Sequence, residues 1–438
     1  MRTRIITTAL LFSSILTVSA QEAWTLPKCI EYAIEHNLNI KQQEANKMTS
    51  EIELNTSKWS RLPDLNGNVS QSFTYGRSLQ MDNTYADRNT RSSYFSLSTN
   101  VPIFTGFQIP NTIALNKLNL SAAIEDLNKA KEDISVQVAS AFTQILYNEE
   151  LAKVARNQVA LSQEQLKMKQ AYFENGKASE AEVYEAKARV AQDEMSAVQA
   201  ENNYKISLLD LSQMLELPSP ENFNINVPEI KDDFREISMP DAIYNEIVMN
   251  KPVIKAAQYR VDGADRSIKI AKSSYYPQLS FSAGINTNYY ATNGMENKSF
   301  STQFDKNVSK SFSFNLSVPI FNRFSVRNRV RTAKVQKMAS EWRLDQAKKD
   351  LYKEIQQAYY QAVAAESKYK SSNIALDAAE VSFKLMNEKY INGKANATQY
   401  NEARTNMLKA LSDKIQAKYE YLFRTKVLDF YKGVPLNI

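Results

Sequence analysis

Histidine and cysteine are all but missing from this sequence: His36 and Cys29 are the only ones in 438 residues. One histidine removes His-based catalytic triads and His-rich metal sites at a step, and one cysteine leaves no intramolecular disulfide. No Cys follows the apolar start, so no lipid attachment point is evident there. With nine glycines in all, there is no Gly-rich phosphate loop either. Long apolar runs are confined to the start, and a mean hydropathy of −0.46 with 23% charged residues is too polar for a helical membrane protein. The net charge of +6 falls to +4 without Arg2 and Arg4, too small to suggest a polyanion, so no nucleic acid partner is expected. No enzyme chemistry is in view, and no cofactor or metal is expected.

What is present begins with Arg2, Arg4, an apolar run from Ile5 to Val18 and Val18-Ser19-Ala20, which read as a cleaved secretory signal over residues 1–20. Cys29 lies in an apolar helical stripe and reads as a small buried hydrophobe, and His36 reads as a helix-end residue. The strongest feature is an internal duplication. Val101-Pro102-Ile103-Phe104 returns as Val318-Pro319-Ile320-Phe321, and Asn175-Gly176-Lys177-Ala178 as Asn392-Gly393-Lys394-Ala395; 318 − 101 and 393 − 176 both give 217. Register kept over that distance points to two copies of one strand-helix-turn-helix unit. The expected division is repeat 1 over 21–216, a linker over 217–239, repeat 2 over 240–431 and a tail over 432–438.

Each copy opens with helices and a proline, Pro63 or Pro277, and then alternates. Leu65, Val69 and Phe73 oppose Asn66, Asn68, Ser70 and Ser72, and Phe95, Leu97 and Val101 oppose Ser96, Ser98 and Asn100. Leu279, Phe281 and Ile285 oppose Ser280, Ser282 and Asn286, and Phe312, Phe314 and Leu316 oppose Ser311, Ser313 and Asn315. This predicts four strands in two hairpins, about 64–104 and 278–321. Alternation alone suits a small soluble sheet with one face on a core. Strand length changes the balance, since a tilted strand crosses a bilayer in about 9–11 residues, and the aromatics gather toward one end as in an interfacial girdle. The hairpin connections, near 77–92 and 293–310, are polar and longer than a tight turn needs. Four strands cannot close a barrel, and an open edge in hydrocarbon leaves backbone groups unpaired. The chain is therefore expected to oligomerise; two copies give about 8 strands and a filled lumen, whereas three leave a channel.

From about 109 to 175 and from about 326 to 392 the sequence predicts single helices, each reaching about 100 Å at 1.5 Å per residue. Leu120, Leu127 and Ile134, and beyond the turn Val183, Val190, Ala197, Tyr204 and Leu211, fall seven apart as coiled-coil seams. The helical hairpins are expected over about 109–215 and 326–431, with tips at 175–178 and 392–395. Pro218, Pro220 and Pro228 make the segment between the copies a linker of little regular structure.

The signal, the duplicated order of elements, the joints marked by Pro63, Pro102, Pro277 and Pro319, and above all the paired tips together resemble the TolC family of outer-membrane efflux channels, over nearly all of the mature chain. The resemblance implies an α+β membrane protein, a homotrimer with a 12-stranded transmembrane β-barrel (four strands per chain) among outer-membrane lipids, continued by a long periplasmic α-helical barrel. It implies an exit duct for efflux or type I secretion, with an equatorial collar built from the linker and chain end. Its implied partners are a periplasmic adaptor docking at Asn175, Gly176, Lys177, Ala178, Asn392, Gly393, Lys394 and Ala395, and an inner-membrane transporter. It also implies a periplasmic gate. Tyr390 falls on the family's gate tyrosine, Glu182 on its acidic partner with Glu185 nearby, and Gln399 and Glu402 on two acidic ring positions. Here the chain departs from the pattern, with Gln399 for one acid and Ala395 for the gate arginine. A partner-independent porin-like channel and a structural coiled-coil envelope protein remain rival readings, opposed respectively by the long helices and by the four strands.

Overall fold

A computed structural model of the chain describes residues 24–79, 83–219, 223–226 and 237–437. The signal expected over 1–20 lies outside them, as do residues 220–222 and 227–236 of the linker. Within the linker, Ile225 makes a parallel bridge with Trp24. The contacts divide the chain into two units.

The unit formed by Leu38–Asp133 and Ser238–Tyr359 holds the six strands found among the described residues. Strands β1 (Asn66–Thr74), β4 (Thr90–Phe104), β5 (Gln278–Thr292) and β6 (Ser309–Ser317) form one antiparallel sheet in the order β1-β4-β5-β6. Directly opposed partners share a face. Val69 therefore meets Phe95, Leu97 meets Ile285, and Phe281 meets Phe314 on an apolar face, with the last two ring centroids 5.0 Å apart. Ser70 with Tyr94, Ser98 with Gly284, and Ser282 with Ser313 lie on the other, mostly polar face. Neither face is packed on a core along the edge strands: β1 and β6 are exposed throughout.

The connections carry structure that the alternation did not announce. Strands β2 (Arg77–Leu79) and β3 (Tyr85–Asp87) pair in a small separate sheet. Helix α7 (Phe300–Lys306) folds back over the apolar face, where Phe300 and Phe304 pack on Phe95 (6.2 and 5.3 Å) and Phe300 on Tyr289 (5.3 Å). A boundary also changes. The second hairpin was expected to run to 321, yet β6 stops at Ser317 because its partner β5 begins opposite, at Gln278. Val318-Pro319-Ile320-Phe321 consequently lies outside the strand, whereas Val101–Phe104 stays within β4, paired at every residue but Ile103.

Each strand passes to its long helix through two consecutive left-handed residues, Gly106 (φ 62°) and Phe107 (66°) in one case and Arg323 (52°) and Phe324 (60°) in the other. Hydrogen bonds from Gln108 N to Thr105 O and from Ser325 N to Asn322 O close these turns at 3.2 and 3.0 Å. That is the geometry of a type I′ turn, which needs positive φ at both central residues. Also in this unit are α2 (Leu38–Trp59) and α6 (Pro252–Ser273), 22 residues each, and α5 (Pro240–Ile247).

The other unit is helical, built from α1 (Leu26–His36), α4 (Glu180–Met214), α9 (Ala397–Tyr431) and the later parts of α3 (Gln108–Glu174) and α8 (Ser325–Ile391). The two long helices have 67 residues each and the two return helices 35 each. Seam residues Ile134, Val138, Ile145, Val190 and Leu211 are buried, and Tyr369 stacks on Tyr421 beside Ala365 and Ala417. Burial also removes Cys29 from solvent completely and pushes its thiol up to about 12, so it packs as an inert hydrophobe. Among the described residues no helix is long and apolar enough to cross a membrane.

Candidate functional site at the helix tips

Both turns between a long helix and its return helix are built alike. After α3, Gly176 adopts φ 68°, Lys177 N donates to Tyr172 O (2.7 Å) and Gly176 N to Phe173 O (2.9 Å). After α8, Gly393 adopts φ 70°, Lys394 N donates to Lys389 O (2.8 Å) and Gly393 N to Tyr390 O (3.1 Å). These are Schellman closures, in which glycine takes the left-handed position at no steric cost. Asn175 and Asn392 each return a side-chain amide to a carbonyl four residues back, Ala171 O and Glu388 O, at 2.7 and 2.8 Å. Reciprocal capping boxes then start the return helices, Ser179 with Glu182 and Asn396 with Gln399. The turns leave Asn175, Lys177, Asn392 and Lys394 exposed and Ala178 and Ala395 half-buried.

Next to the tips, side chains of four helices converge. Glu182 takes an ion pair from Lys169 at 2.6 Å, and the same ammonium stands 5.1 Å from the centre of the Tyr390 ring. Tyr390 stacks on Tyr400 at 4.8 Å, and the Tyr400 hydroxyl accepts from Gln165 at 2.5 Å. Tyr390 and Glu182 share no direct hydrogen bond. Lys169, which the sequence reading did not single out, stands between them. Desolvation pulls its pKa down, but the hydrogen bond to Glu182 and the adjacent Tyr390 phenol outweigh it and hold the ammonium above its ordinary value. The Lys169 bond, followed by the Ser179 backbone, holds the Glu182 carboxyl below its ordinary value. A cleft of about 250 Å³ opens among Gln165, Lys169, Glu182, Arg189, Tyr390 and Tyr400.

Deeper lies a second charged group. Arg404 and Asp193, 1% and 7% exposed, form an ion pair at 2.6 Å, and Arg189 approaches the other carboxylate oxygen at 3.4 Å. Gln158, with its amide oxygen turned inward, accepts from Arg404. Burial and the Arg404 charge both lower the Arg189 pKa. The sequence carried a signal for Asp193: it sits three residues after Val190 and four before Ala197, inside the seam.

Of the remaining gate candidates, Gln399 is engaged in its capping box, while Glu185 and Glu402 are exposed. Pro102 sits where the β4–β5 register shifts, Pro63 and Pro277 just precede β1 and β5, and Pro319 follows β6.

The family model for outer membrane efflux proteins matches residues 29–216 and 243–433. The alkaline protease secretion protein AprF of Pseudomonas aeruginosa is 20% identical over 352 residues, 80% of this chain and 71% of its own. The outer membrane efflux protein BepC of Brucella suis is 19% identical over 376 residues, 85% of this chain and 77% of its own. Among solved structures, the outer membrane protein VceC of Vibrio cholerae has the same fold, with a TM-score of 0.75 at 16% identity over 94% of this chain and 97% of that one.

Proposed function

The chain belongs to the outer membrane efflux protein family, and from that premise we propose that it is the passive exit duct of an efflux or secretion system. Three copies contribute four strands each to a twelve-stranded barrel in the outer membrane, and the helices continue the duct on the periplasmic side. The observation that carries this reading is the sheet. One face is apolar, and exposed along both edge strands beyond the cover of α7, the other is lined with Ser and Asn, and the outer edges of β1 and β6 are unpaired. Hydrocarbon tolerates the apolar face but not the open edges, whose unsatisfied groups cost several kcal/mol each, so closure by further copies is required. The tips at Gly176 and Gly393, exposed and alike in their closure, are the docking points for a periplasmic adaptor that joins the duct to an inner-membrane transporter. Lys169, Glu182 and Tyr390 hold the gate closed, and three Glu402 carboxylates around the axis form a negative constriction favouring cations.

The test is mass measurement in detergent together with single-channel recording. Three copies per particle and a conducting pore are expected, and a folded monomer or an inert trimer would overturn the reading. Glu402→Gln should move the reversal potential in a salt gradient toward zero; an unchanged potential would place Glu402 on a solvated helix face.

A further inference from the structure

The sheet treats its free edges in two ways. Strand β5 runs six residues past Asn286, the last that β6 pairs, and this overhang is capped by side-chain amides. Asn297 bonds both N and O of Thr292 (2.8 Å each), Gln303 bonds N and O of Tyr290 (3.0 and 2.9 Å), and Asn307 donates to Asn288 O (2.8 Å). Nothing comparable covers the outer edges of β1 and β6 among the described residues. Capping blocks strand addition, so the uncapped edges are the ones left able to pair.

We infer that β6 of one chain pairs antiparallel with β1 of a second copy in a single register, with Leu316 opposite Val69 and Asn315 opposite Ser70. The inference rests on the barrel reading above and fixes what that reading leaves open. Its basis is an equivalence measured within the chain. Helices α2 and α6 and the first strand of each hairpin correspond at an offset of 214 (252 − 38), and the second strands at 217 (318 − 101). The hairpins obey both offsets. Val69 pairs with Phe95, and their equivalents Ala283 and Phe312 also pair. The one junction between copies inside the chain, β4 with β5, can therefore be carried to the junction between chains. Thr99 opposite Ala283 becomes Leu316 opposite Val69, Ser98 opposite Gly284 becomes Asn315 opposite Ser70, and Ser96 opposite Asn286 becomes Ser313 opposite Ser72. The pairs transferred between β1 and β6 set apolar against apolar or polar against polar, save Phe314 opposite Gln71, where Leu97 stands opposite Ile285 in the measured junction. A slip of one residue would turn the apolar side chains of one strand to the polar face.

Paired cysteines test the register, with Cys29 left in place because it is fully buried. Ser70→Cys with Asn315→Cys should give covalent dimers and trimers on denaturing gels under mild oxidation. The reaction should be about tenfold faster than for Ser70→Cys with Ser313→Cys or Ser317→Cys, because opposed Cβ atoms lie about 4.5–5.5 Å apart and diagonal ones about 7–8 Å. Val69→Cys with Leu316→Cys is an independent pair on the other face, should the first variant fail to assemble. Faster linkage of a shifted pair overturns the register and leaves the barrel standing. Particles of three copies with no linkage at either direct pair overturn β6–β1 pairing itself, whereas particles of one copy overturn the functional reading along with it.

Discussion

Lys169 joins two elements that the sequence set side by side without a link. Its equivalent 217 residues on is Met386, so Lys169→Met writes the second copy's residue into the first, keeping much of the volume and removing the charge. The lost pair is partly solvated and worth about 1 kcal/mol, which should raise the open population of single channels about fivefold. Acid should do the same. The Glu182 carboxyl is held below its ordinary value of 4.5, so its contribution is complete above that pH and is lost as pH falls through the lowered pKa. Channels should open below about pH 4.5, and Glu182→Gln should remove that step. The buried pair behaves otherwise. Asp193→Ala strands Arg404 in the interior at about 3–5 kcal/mol, while Asp193→Leu with Arg404→Met should be close to neutral. The temperature at which the helical hairpins become protease-sensitive measures both. Neither group was fully legible in the sequence, because its members come from different helices and only the fold brings them together. Besides the place of Asp193 in the seam, the departures between copies, Lys169 against Met386 and Asp193 against Ala410, were an available signal.

The glycines at the turns separate two kinds of constraint that sequence cannot distinguish. Gly393 has positive φ and open space around it, so Gly393→Ala meets only the left-handed penalty of about 1–2 kcal/mol. At Gly106 a Cβ would also stand 2.4 Å from the Ser273 carbonyl oxygen and 2.9 Å from Tyr276 Cβ, so one element must move. Gly106→Ala should therefore lower the yield of assembled protein on unheated gels, while Gly393→Ala should leave it near wild type. Periodicity revealed the four main strands and the long helices because each is one unbroken pattern. It missed α7, β2 and β3, whose 7 and 3 residues are too short to show a period, and it carried the second hairpin to Phe321 because strand ends depend on where the partner stops.

For the assembled molecule, sidedness is the open quantity, and labelling on intact cells reads it. Lys298→Cys, in the exposed connection beside α7, should react with an impermeant maleimide, whereas Lys394→Cys at the tip should react only after the outer membrane is breached. Reaction at Lys394→Cys in intact cells would invert the topology. The family was legible because duplication keeps its punctuation at fixed offsets; the cargo was not, since no residue pattern in the sequence marks one. The bare edges carry a further implication for the chain before it reaches its membrane. A donor edge that fits a different acceptor edge makes a head-to-tail contact, and such contacts end only when the last copy meets the first. If ring closure lags behind addition, the same pairing continues into an open-ended filament. Faster synthesis should thus divert material from rings into fibres, and on the proposed assembly the balance is set by how quickly a nascent ring closes on itself rather than by how tightly any two copies bind.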